Sequence, residues 1–225
     1  LHVFPDKLGV VDGTRRLTYR EFGERVYRLA SALRARGLAP GDRIAVLCRN
    51  SLEALEAHFA VPYLGGILVP INVRLSSDEV RFILEHAGAR ALLLDAALAE
   101  LVTPIRAALP DLRLVIWTDI DSRHGGPAPQ PPAVADVAYE ALLEEGSPEP
   151  LVYPLTDEED VLSINYTSGT TGRPKGVMVT HRGAYLNALG EIIEARLAPE
   201  SAYLWTLPMF HCNGWYFPYA VTGIG

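Results

Sequence analysis

Groups that bind anions are concentrated in one stretch of eleven residues. Tyr166-Thr167-Ser168-Gly169-Thr170-Thr171-Gly172-Arg173-Pro174-Lys175-Gly176 holds three glycines, the hydroxyls of Thr167, Ser168, Thr170 and Thr171, and the cations Arg173 and Lys175. Glycines let successive backbone amides converge on an anion. The hydroxyls can bond phosphate oxygens or ligate a hard cation such as Mg²⁺. Lysine occurs only at positions 7 and 175 in a chain whose other basic residues are arginine, so Lys175 stands out from its background. This composition suits a polyphosphate. It is not a nucleotide-binding P-loop, however. Counting from Gly169, the second glycine position holds Pro174, which has no N–H, and Gly176 follows Lys175 where Ser or Thr is needed.

The elements around the loop set its position. Strands are expected at 161–166 and 177–179, and Thr180 caps a helix over 181–194. Upstream, Asp12-Gly13 between two short runs reads as a hairpin. Thr18 and Glu21 have capping-box spacing, and Phe22, Val26, Leu29 and Leu33 recur at helical spacing until Gly37. Residues 43–48 read as a buried strand, with Asn50 and Glu53 as a second capping box opening a helix to about Tyr63. A strand at 67–71 follows, then a third box, Ser76 and Glu79, whose helix turns Val80, Ile83 and Leu84 inward. A strand at 91–94, a helix over 96–109 and a strand at 112–117 complete the alternation. It predicts an α/β fold with a mainly parallel sheet flanked by helices, and 160–225 as the start of a second sheet layer. The chain divides into a first α/β subdomain (1–118), a Pro- and Gly-rich loop or linker (119–136), and a phosphate-loop region (137–225) opening with a short helix near 138–144.

Composition narrows the class. Of 225 residues, 49% are hydrophobic and 21% charged, which excludes a disordered chain, a collagen repeat and a coiled coil. A net charge of −7 disfavours nucleic acid as a partner. Cys48 and Cys212 are too few for a disulfide framework and suit a reducing, cytoplasmic setting. No apolar run reaches membrane-spanning length, about 18 residues.

Residues 166–177, YTSGTTGRPKGV, resemble the signature phosphate loop of the adenylate-forming (AMP-binding) superfamily. Leu207-Pro208-Met209-Phe210-His211-Cys212-Asn213-Gly214-Trp215 resembles the LPMFH-type motif of its fatty acyl-CoA synthetases. The runs 17–21 and 41–46 are similar to the opening of such enzymes, so the likeness covers nearly the whole chain. The resemblance implies the N-terminal domain of the acyl-CoA synthetase-like fold and an ATP-dependent acid–thiol ligase. A carboxylate, expected to be a fatty acid, attacks the α-phosphorus of ATP to give an acyl-adenylate and pyrophosphate, and CoA then displaces AMP. It also implies ATP, Mg²⁺ and CoA as reactants and cofactors and allows a homodimer. Thr167, Ser168, Gly169, Thr170, Thr171, Gly172 and Lys175 would hold the phosphates, with Thr170 and Thr171 near Mg²⁺. His211 would serve catalysis at the junction of the nucleotide and acyl sites, and Trp215 would line the acyl pocket beside it. The family's downstream adenine and ribose motifs, hinge and C-terminal lysine domain have no counterpart before Gly225. The chain therefore reads as an N-terminal portion, expected to be inactive alone. Aryl-acid ligases, luciferase-like enzymes, peptide-synthetase adenylation domains and an inactive fragment are the alternatives.

Overall fold

The computed structural model describes residues 3–127, 130–152, 156–167 and 173–225, with only the backbone of Arg123, Cys212, Asn213 and Trp215. Strands β1 (Leu8–Asp12) and β2 (Arg15–Thr18) form the expected antiparallel hairpin. Helix α1 (Tyr19–Ala35) starts at Thr18, and both bonds of the Thr18–Glu21 capping box are present. Strand β3 (Arg43–Leu47) follows.

The next helix, α2 (Leu52–Leu64), departs from expectation. Its N-cap is Ser51, not Asn50: Ser51 Oγ accepts from the amide of Ala54 at 3.2 Å. Asp12 of the hairpin accepts from the Leu52 amide at 3.0 Å. Two carboxyl and hydroxyl oxygens thus satisfy the first free N–H groups of the helix. Asn50 is released for other contacts, and Glu53 is buried, with Arg15 Nη1 at 3.3 Å.

Strand β4 (Ile67–Pro70) leads to α3 (Ser77–Ala87), which has the complete Ser76–Glu79 capping box and a left-handed glycine, Gly88, as its C-cap. Strand β5 is Ala89–Asp95. The helix expected over 96–109 is broken into a 3₁₀ turn (Ala96–Leu98), a short α4 (Ala99–Val102) and a second 3₁₀ turn (Arg106–Ala108). Pro104 explains the break, because it can neither donate to the ladder nor fit against the preceding turn. Strands β6 (Leu114–Thr118) and β7 (Val137–Ala138) bracket the 119–136 segment, where the only helical piece among the described residues is a 3₁₀ turn at Asp121–His124. Helix α5 (Tyr139–Glu145), the hairpin of β8 (Val161–Tyr166) and β9 (Gly176–Thr180), α6 (His181–Glu194) and α7 (Phe217–Ile224) complete the chain.

The main sheet has the order β7-β6-β5-β3-β4-β8-β9. Every neighbouring pair is parallel except β8 and β9. The strands of 161–180 therefore extend the first sheet instead of beginning a second layer. β8 joins beside β4, with Leu68 opposite Ser163. An unpaired edge of a parallel sheet offers the N–H and C=O row that such an addition satisfies.

Alternating residues of β3 supply two separate cores. Ile44 and Val46 pack with α1, α2 and α5, whereas Ala45 and Leu47 pack with α3 and the 96–109 segment. A strand buried on both faces must be almost wholly apolar, as 43–48 is.

One polar network crosses the first core. Glu56 is fully buried on α2 and accepts from Arg25 Nε at 2.5 Å, Arg25 Nη2 at 3.2 Å and Tyr139 Oη at 2.7 Å. It joins α1, α2 and α5 through one carboxyl. Burial raises its pKa from 4.5 to about 7, and the attraction of Arg25 opposes the rise. A group whose pKa is higher in the folded chain stabilises fully below its unfolded value, and that contribution is lost as pH rises through the folded value. The melting-temperature advantage of the wild type over Glu56→Gln should therefore shrink steadily between pH 5 and pH 8. A constant difference across that window would show that Glu56 does not titrate there.

Candidate phosphate and acyl site

β8 runs parallel to β4, so its carboxyl end and the loop after it leave the sheet at the same edge as the loop after β3. That edge is where ligands of open α/β sheets bind. Among the described residues, the centre of the sheet is already occupied there. Strands β4-β3-β5-β6-β7 have the flavodoxin-like order, whose crevice lies between β3 and β5. Arg49, just past β3, bridges it: Nε lies 2.5 Å and Nη2 3.1 Å from the two oxygens of Asp95 at the end of β5, and Nη1 lies 2.8 Å from Asp121. The adjoining cavity, about 180 Å³, is lined by Asp95, Asp119 and Asp121 together with Ala96, Ala97 and Pro127, an acidic lining that disfavours a polyanion. The glycine- and hydroxyl-rich loop expected to bind phosphate belongs to the other side, between β8 and β9.

The hairpin holds the loop by a double neck. Thr167 N–H donates to the Lys175 carbonyl at 3.0 Å, and Lys175 N–H donates to Thr167 Oγ1 at 3.3 Å. Thr167 thus uses an oxygen lone pair to close the loop, and its O–H proton can still donate, as the expected phosphate role needs. Both residues are exposed, as an anion site requires. The expected ligands Ser168, Gly169, Thr170, Thr171 and Gly172 lie outside the described residues. The glycine at the neck is sterically required. A Cβ on Gly176 would lie 2.8 Å from Ile164 Cγ2 and 3.3 Å from Tyr166 Cζ, so the Tyr166 ring lies across it.

The second motif approaches through Asn50. Its Nδ2 donates to the Leu207 carbonyl at 2.7 Å, and its Oδ1 accepts from the Met209 amide at 2.8 Å. One side-chain amide thereby imitates a strand partner on either side of Pro208, which has no N–H of its own. Met209 is buried in the first core, and Trp205 packs against it. His211 follows at once and is exposed. It opens a 3₁₀ turn (His211–Tyr216) instead of an α-helix. At about three residues per turn, positions 211 and 215 are offset by a third of a turn. The Trp215 side chain lies outside the described residues. Gly214 has a φ of +61°, and a Cβ there would come within 2.8 Å of the Trp205 ring.

The profile of the AMP-binding enzyme family matches residues 1–225. The chain belongs to that family. Among similar proteins, 4-hydroxybutyrate–CoA ligase 2 of Metallosphaera sedula is 40% identical over 99% of this chain and 40% of its own length. The peroxisomal benzoate–CoA ligase of Arabidopsis thaliana is 36% identical over 99% of this chain and 39% of its own. Among solved structures, the anthranilate CoA ligase AuaEII in complex with anthranoyl-AMP superposes with a TM-score of 0.85 at 26% identity, covering 99% of this chain and 42% of that one. ATP-bound MatB from Rhodopseudomonas palustris gives 0.82 at 25% identity, over 98% and 41%. The chain thus spans about two fifths of the length of these relatives.

In this AMP-binding enzyme chain, the glycine-hydroxyl loop and the LPMFH-type motif are legible from sequence. Their tether is not. Asn50 and Ser51 are both good cap residues, and nothing local shows which of them caps α2 and which is free to reach position 207. No described helix is long and apolar enough to cross a membrane. No group of three His, Cys, Asp or Glu among the described residues could hold a metal. Cys48 is buried with a free thiol, which burial pushes well above its usual pKa. Removing the tether by Asn50→Ala should cost about 1–2 kcal/mol of stability and speed amide exchange at Met209 by at least tenfold. Unchanged exchange at Met209 would mean that packing alone holds the segment.

Proposed function

We propose that the protein carrying this chain is an ATP-dependent acid–CoA ligase. The observation that carries this reading is the closed neck of Thr167 and Lys175. It holds the described ends of the glycine- and hydroxyl-rich loop at the carboxyl edge of the parallel strands, the same edge as the Asn50-tethered 207–211 segment. Two substrates that must react with each other need two adjacent sites, one for a polyanion and one for a carboxylate with its tail. In the first step a carboxylate oxygen attacks the α-phosphorus of ATP, and the bond to the leaving pyrophosphate breaks. The acyl-adenylate then gives its acyl group to the thiolate of CoA and releases AMP.

Charge develops on the leaving pyrophosphate, so this step needs hydrogen-bond donors and cations around it. On this reading Lys175 and the loop hydroxyls hold the β- and γ-phosphates, and His211 assists at the carboxylate. Hydroxyl oxygens at Thr170 and Thr171 are hard ligands suited to Mg²⁺, which neutralises phosphate charge when bound. For the acid we favour an aliphatic one. The names of similar proteins, 4-hydroxybutyrate– and butyrate–CoA ligase among them, place short chains first in the series to test, with benzoate as the aromatic competitor.

Acid-dependent ATP–pyrophosphate exchange by the complete protein is the direct test. No exchange with any acid of that series would sink the ligase reading. Lys175→Ala should slow adenylate formation more than tenfold, a barrier increase above about 1.4 kcal/mol. Trp215→Ala should alter the chain-length profile of kcat/KM while leaving the KM for ATP alone. His211→Ala should lower kcat for adenylation across all acids. A Trp215→Ala variant that instead changes ATP binding would refute its place in the acyl pocket.

A further inference from the structure

We propose that two residues of α3, Phe82 and His86, position the phosphate loop by holding its two ends. This rests on the reading above, in which the loop cradles the phosphates of ATP. His86 Nδ1 lies 2.7 Å from Tyr166 Oη, a hydrogen bond whose direction follows the histidine tautomer. The two rings meet edge to face at 5.8 Å and 84°. Tyr166 is the last residue before the loop neck. On the other side, the guanidinium of Arg173 sits over the Phe82 ring, 5.5 Å from its centroid. Phe82 and His86 are four residues apart on one helix face and stack on each other at 5.3 Å and 24°. One stacked pair therefore touches both the entry and the exit of the loop.

The support is rigid. α3 is capped at both ends and buries Val80, Ile83, Leu84 and Ala87 in the second core. The effect of the contact passes through Gly176. With the Tyr166 ring resting on that glycine, fixing the ring fixes the backbone where β9 begins. His86 is itself exposed, so its bond to Tyr166 is not needed to satisfy a buried polar group. What the bond does is order the neck before nucleotide arrives, which lowers the ordering cost at binding. His86 is thus a positioning residue, and its effect should fall on ATP and not on the acid.

The test compares His86→Ala, His86→Asn and Tyr166→Phe in the complete protein. ATP–pyrophosphate exchange is measured with ATP and acid titrated separately, alongside melting temperature and amide exchange of the 173–176 segment without ligand. His86→Ala should raise the KM for ATP five- to tenfold, with the KM for acid and the melting temperature unchanged. Asparagine places a polar atom close to that of Nδ1, so His86→Asn should bring the KM back to within twofold of wild type. Tyr166→Phe should match His86→Ala, and the double variant should be no worse than either single one. An unchanged KM for ATP overturns the proposal. So does a parallel rise in both KM values with a lowered melting temperature that His86→Asn does not restore. If the wild type shows no exchange with any acid, the ligase reading fails separately. Amide exchange then decides the positioning role: faster exchange at 173–176 in His86→Ala supports it, and an unchanged rate overturns it.

Discussion

The burial of β3 on both faces is the constraint from which the rest of the architecture follows. A strand with apolar residues at every position has to be sandwiched. Ile44 and Val46 require α1, α2 and α5 on one side, and Ala45 and Leu47 require α3 and the 96–109 segment on the other. Parallel neighbours on both edges then force each connection to cross over through a helix. All the loops that follow these strands consequently emerge at one edge. Asn50, Asp95 and Tyr166 lie on that edge because of pairing decided at β3, β4 and β8.

That edge is used selectively. The crevice between β3 and β5, where a flavodoxin-like sheet ordinarily binds its ligand, is bridged by Arg49 and Asp95. With Asp121 also on Arg49, the bridge is a three-member ion network whose carboxylates would repel an incoming phosphate. The chain instead gains two strands beyond β4 and carries its glycine- and hydroxyl-rich loop on the added hairpin. The proposed polyphosphate and acyl sites then both fall at the edge of the sheet, and the middle stays a structural joint.

Polar side chains do much of the long-range positioning. Glu56 gathers α1, α2 and α5 around one buried carboxyl, and Asn50 ties the 207–209 backbone to the end of β3. Breaking a buried charged contact is far more costly than breaking an exposed one, typically about 3–5 kcal/mol. Glu56 accordingly bears on the stability of the first core, whereas Asn50, only half buried, bears on where the second motif lies.

Local information determined much of this chain. The Thr18–Glu21 and Ser76–Glu79 boxes, the β-α alternation of 43–95, and the glycine-hydroxyl composition of the phosphate loop all depend on neighbours within a few residues. They could be read because a cap or a turn is satisfied by its own segment. The same locality misled at Asn50, where a plausible cap was put to use 157 residues away, and over 96–109, where Pro104 outweighed the apolar spacing. Only the tertiary structure decided that 161–180 would join the first sheet, that Arg49 would close the central crevice, and that Phe82 and His86 would reach Tyr166 and Arg173. Those outcomes depend on which strand edges and side chains remain unsatisfied once the core has formed. That is a property of the assembled molecule, and no stretch of the chain carries it alone.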